Sequence, residues 1–150
     1  MTTAGAGLHG LRNTAEAVRR DAYGQVFPAR PEQVGAARRF VARLLAGTPV
    51  ADDAVLCVSE LASNCVSYSV SGRPGGTFTV RVEPHDGDYV WLEVADQGGP
   101  WRSSAPDGRV HGLEIVRRLA SESGVAGSVL TGWEAWARLD WPGRGCHDRP

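Results

Sequence analysis

The sequence predicts an α/β protein: a two-layer sandwich in which a mixed, mostly antiparallel sheet carries its helices on one face. Three observations lead there. Two segments have the 3.6-residue apolar spacing of helices packed on a core. Two alternating runs flank an Asp-Gly turn, the signature of a hairpin. A third helical run is followed by two further strand-like runs, so helices and strands interleave.

Each element has a local reason. Gln25-Val26-Phe27 reads as a short strand stopped by Pro28. From Pro31, PEQVGAARRFVARLL places Val34, Ala37, Phe40, Val41 and Leu44 on one helical face, with proline at the start and Gly47 near the exit. A second helix is expected to begin at Asp52 or Asp53, both good N-caps, and to run to about Ser69, where SGRPGG breaks the chain. Residues 77–82 and 89–94 alternate as strands, joined through EPHDGD. Leu113–Ala120 restores helical periodicity, and 124–130 and 135–141 close the chain as strands. Residues 1–22 read as an N-terminal tail, 23–141 as one folded domain and 142–150 as a C-terminal tail. The irregular stretch at 96–112 is long for a compact domain, and such loops usually serve function.

Composition excludes several classes of activity. A chain of 150 residues with 42% apolar and 22% charged residues is an ordinary globular domain. A net charge of −1 argues against a nucleic-acid binder. No apolar run is long enough to span a bilayer, and the first twenty residues lack the pattern of a secretory signal. The chain has no lysine, and all 16 of its basic residues are arginine, which removes Walker P-loop and Schiff-base chemistry. Cys57 and Cys65, two helical turns or roughly 12 Å apart, are too distant for a disulfide and read as reduced thiols in a cytoplasmic protein. The four histidines, at 9, 85, 111 and 147, lack metal-ligand spacing.

Three clusters carry possible chemistry. On the second helix, Glu60 and Asn64 stand at i and i+4, one turn apart on one face. A carboxylate and an amide oxygen so placed suit a magnesium–phosphate site, Asn64 as metal ligand and Glu60 as a base, although a solvated helix face has the same pattern. Asp96, at the mouth of the strand 89–94, is followed by Gln97-Gly98-Gly99. An acid there accepts from an exocyclic amine, and glycines let the backbone approach a flat ring; a plain turn is the alternative. Third, Gly108-Arg109-Val110-His111-Gly112-Leu113 leads glycines into a helix N-terminus, a natural phosphate seat. Arg109, Arg117 and Arg118 are candidate phosphate contacts or solvated surface arginines, and His111 a lid residue. Trp101 and Trp133 are candidate interface anchors if exposed.

Taken in order, VSELASNCVSYS, VADQGGPW and HGLEIVRRLAS resemble the N box and the two glycine boxes of the GHKL ATPase superfamily, which has the Bergerat ATP-binding fold. The likeness covers roughly residues 24–141 and is nearest to the small stand-alone branch, the bacterial anti-sigma-factor serine kinases. The resemblance implies ATP and Mg²⁺ as cofactors. Asn64 would ligate the metal, Glu60 would activate a serine hydroxyl, and Asp96 would take the adenine amino group with Gly98 shaping its pocket. Gly108 and Gly112 would flank the ATP lid, with Leu113 opening the helix behind it. It implies a serine/threonine kinase acting on an anti-anti-sigma (STAS-type) protein and sequestering a sigma factor, and a homodimer is a family expectation.

Three departures stand out. The lid is short and lacks the fuller G-x-G pattern. Tyr68 stands where the family often has histidine. Gly132-Trp133-Glu134 puts Glu134 where the family usually has threonine, an acid expected near the adenine. These leave open a non-catalytic ATP-binding module that regulates transcription by protein contacts, and an α/β domain with an unrelated ligand.

Overall fold

The computed structural model describes residues 22–68, 74–85, 87–97, 112–128 and 130–142. The chain forms β1 (Tyr23–Pro28), α1 (Pro31–Leu44), α2 (Ala51–Tyr68), β2 (Thr77–His85), β3 (Tyr89–Ala95), α3 (Gly112–Leu119), β4 (Glu122–Ser128) and β5 (Gly132–Asp140). The two expected tails fall almost entirely outside the described residues.

The five strands form one sheet in the order β1-β2-β3-β5-β4. Every neighbouring pair is antiparallel, so the expected mixed sheet is a wholly antiparallel one among the described strands. The reason is β5. It returns from the edge strand β4 and inserts between β4 and β3, pairing antiparallel with both. β3 and β4 run the same way but never touch, and the chain between them carries α3.

Alternation along the strands divides the sheet into two faces. Phe78, Val80 and Val82 of β2, Val90, Leu92 and Val94 of β3, and Ala137 and Leu139 of β5 are buried in one core. Ala37 and Val41 of α1, Ala54, Val58 and Leu61 of α2, and Val116 of α3 join them, so the helices cover this face. The other face holds a packed polar and aromatic layer. Trp91 and Trp136 stack with ring centroids 4.5 Å apart, His85 stacks on Tyr89 at 4.0 Å, and the Arg138 guanidinium lies 3.9 Å over the Tyr89 ring. Arg81 pairs with Glu83 beside them.

Helix boundaries follow the backbone more than the side chains. α1 starts where expected, with Pro31 at its first position and Arg30 extended before it. α2 starts one residue before the expected caps, because Ala54 N–H already donates to the Val50 carbonyl at 2.9 Å. Asp52 and Asp53 lie inside the first turn, where they complement the positive helix end instead of capping it.

Candidate functional site

The C-terminal half of α2 lies against the end of β3. Cys65, the residue after Asn64, places its Sγ 4.0 Å from Asp96 Oδ2. This contact, between residues 31 apart in sequence, packs the C-terminal half of the helix that bears E-x-x-x-N against the Asp96 turn. Glu60 and Asn64 are both half-buried, one turn apart on that helix.

Asp96 is anchored to the start of β5. Its N–H donates to the Trp133 carbonyl at 2.8 Å, and the Trp133 N–H donates to Asp96 Oδ1 at 3.0 Å. The approach is possible because residue 132 is glycine. Gly132 has φ +94°, and a Cβ there would stand 2.5 Å from the Asp96 carbonyl oxygen. Beyond Asp96, the Gln97 Oε1 accepts from the Thr77 N–H at 3.0 Å and ties the turn to the start of β2. Gln97 is already part of this turn in the sequence reading, whereas Cys65, Gly132 and Trp133 are given no place in the site from sequence.

Glu134 is a correction. It pairs with Ala95 and with Ala126, on the sheet face that carries Glu93 and Trp136, away from the helices. The Asp96 carboxylate touches α2 on the helix side, so Glu134 and Asp96 belong to opposite faces of the sheet. Trp133, the neighbour of Glu134, is the residue bonded to Asp96 through its main chain, and it is half-buried.

The remaining expected residues divide. Leu113 packs against the core beside Leu61 and Val116, and with Arg117, Ser123 and Val125 they line a small cleft of about 150 Å³ on the helix side of the sheet. Gly112 is the first residue of α3. Arg117 and Arg118, read as phosphate contacts or as solvated surface arginines, lie exposed on α3 and approach Glu114 at 3.7 and 3.8 Å, surface pairs of small energetic weight. Gly98, Trp101, Gly108, Arg109 and His111 lie outside the described residues.

The thiols of α2 are held protonated. Burial, then the charges of Asp53 and Glu60, push Cys57 up to about 12. Burial, then Asp96, push Cys65 well above its ordinary value. Both are free cysteines, and the expected absence of a bond between them holds. Among the described residues, no three His, Cys, Asp or Glu side chains gather as a metal cage. A magnesium ion carried by nucleotide phosphates needs only one or two protein oxygens, and a half-buried Asn64 can supply one.

A two-layer sandwich with its helices on one face, holding an acid at a strand end against a helix bearing E-x-x-x-N, defines a nucleotide-binding domain. The family profile of the histidine kinase-like ATPase domain matches residues 27–131, and the chain belongs to that family, within the GHKL superfamily. Its fold is therefore the Bergerat fold, built to bind ATP. A search of the curated proteins found no match. No helix among the described residues is long and apolar enough to cross a membrane.

Proposed function

We propose that this chain is an ATP-dependent protein serine/threonine kinase of the anti-sigma-factor type, working in the cytoplasm. The observation that carries the reading is the 4.0 Å contact between Cys65 and Asp96, which joins the helix bearing Glu60 and Asn64 to the acid that would receive the base. Asp96 would accept from the adenine amine while its other bonds fix its direction. Asn64 would give its amide oxygen to Mg²⁺, which when bound neutralises charge on the phosphates. Gly98, Gly108 and Gly112 would give the backbone close access to base and phosphates.

Glu60, one turn before Asn64, is the residue for the proton. A serine hydroxyl of an anti-anti-sigma partner attacks the γ-phosphorus, Glu60 takes its proton, and ADP leaves in line. The same chain would bind a sigma factor, and neither partner is a nucleic acid or a membrane. Glu134, turned to the far face of the sheet, leaves the binding side without the charge that argued for a degenerate module.

The test is transfer of labelled phosphate from ATP to candidate anti-anti-sigma proteins. Transfer lost in Glu60→Ala, with ATP binding kept, supports the kinase. Tight ATP binding with no transfer to any such partner leaves a regulatory module that acts by contact alone. Undiminished transfer in Glu60→Ala removes that residue from the role of base.

A further inference from the structure

We infer that Cys65 is a positioning residue for nucleobase recognition, holding Asp96 from the α2 side while the Trp133 main chain holds it from β5. The inference rests on the nucleotide reading above and deepens it. An ionised carboxylate only accepts hydrogen bonds, so its neighbours must be donors. At Oδ1 the donor is the Trp133 N–H, 3.0 Å away, itself fixed by the return bond from the Asp96 N–H to the Trp133 carbonyl. At Oδ2 the donor is the Cys65 thiol, at 4.0 Å. The cysteine side chain carries the S–H that such a contact needs.

The two contacts come from different layers of the fold. Trp133 approaches along the sheet, and Cys65 approaches from the helix above it. A carboxylate held at one oxygen still turns about its side-chain bonds. Held at both, its plane is set, and with it the directions of the lone pairs that meet a ligand. Cys57 is the internal comparison: it is buried in the apolar core two turns earlier on the same helix, and its sulfur serves packing. Position 65 differs because its sulfur meets an acid.

The experiment compares ATP binding in wild type, Cys65→Ala, Cys65→Ser and Cys57→Ala, with infrared spectra of the S–H stretch. Cys65→Ala should weaken ATP binding about two- to tenfold, the range for losing one hydrogen bond. Cys65→Ser should recover most of it, since the hydroxyl is a stronger donor that offsets its shorter reach. Cys57→Ala should bind as wild type does. The S–H band that vanishes in Cys65→Ala should move to higher frequency in Asp96→Ala, a shift that loss of packing volume would not produce. Wild-type affinity in Cys65→Ala, equal losses in the alanine and serine variants, or an unmoved band would each overturn the assignment. A wild type that binds no ATP would overturn the nucleotide reading and this proposal together, whereas a binding wild type matched by Cys65→Ala would overturn this proposal alone.

Discussion

Replacing Gly132 by alanine isolates the approach of β5 to Asp96. The substitution adds two costs. Alanine at φ +94° occupies a region that costs an L-residue about 1–2 kcal/mol. Its Cβ would also stand 2.5 Å from the Asp96 carbonyl oxygen, where ordinary contact begins at 3.4 Å. The obstruction is backbone against backbone, so no side chain can swing aside. The strand end must move off Asp96, stretching the 2.8 Å bond from the Asp96 N–H and the 3.0 Å bond from the Trp133 N–H. At about 0.5–1.5 kcal/mol for each bond, the total reaches about 2–5 kcal/mol. Gly47 is the control: its φ is +81° and a Cβ there would meet nothing within 4 Å, so Gly47→Ala carries the backbone strain alone. Urea unfolding of both variants by linear extrapolation reads the difference. Gly132→Ala should lose at least about 1 kcal/mol more than Gly47→Ala, the weight of the disturbed bonds. Equal losses would refute the close approach and the anchoring of Asp96 that depends on it.

The aromatic layer offers a second test. A Cβ at Gly124 would come within 2.8 Å of the Trp136 indole, which is stacked on Trp91, so Gly124→Ala should displace the ring. It should cost about 1–3 kcal/mol and reduce the near-ultraviolet circular dichroism of the tryptophan pair. The buried thiols give a pH dependence with a defined sign. Cys57 titrates near 12 when folded against an ordinary 9.0, so the folded state holds its proton more tightly. That stability is complete below pH 9.0 and falls as pH rises toward 12. Wild type minus Cys57→Ala, measured by denaturant unfolding across this window, should decline with a slope of at most about 1.4 kcal/mol per pH unit. A flat difference would refute the shift.

Most of the fold was legible because its signals are local. The apolar face of α1, the periodicity of α2 and the Asp-Gly turn between β2 and β3 lie within a few residues of one another. What failed were features decided by distant partners. β2 runs through Pro84 to His85, beyond its expected end, because β3 pairs with it as far as Tyr89. Proline is tolerated there because the β1 pairing stops at Val82, leaving β2 with a single described neighbour at that point. β5 begins at Gly132, three residues before its expected start, because Glu134 and Ala135 pair with both flanking strands.

The candidate site divides in the same way. Glu60, Asn64 and Asp96 stood out as residue types at telling positions. Cys65 did not, since its meaning comes from an acid on another layer. The reading of Glu134 failed on strand parity: one step along β5 exchanges the helix side for the far face, and only the register reveals which of Trp133 and Glu134 meets Asp96.

The most direct test of the central claim is a calorimetric titration of the wild-type protein with ATP and Mg²⁺ beside Asp96→Asn and Asn64→Ala. The structure leads us to expect saturable one-site binding by the wild type. Asp96→Asn should weaken it at least about tenfold, because an amide replaces a charged acceptor. Asn64→Ala should weaken it chiefly when Mg²⁺ is present. Failure of the wild type to bind, or wild-type affinity in Asp96→Asn, would contradict the assignment of this pocket to ATP.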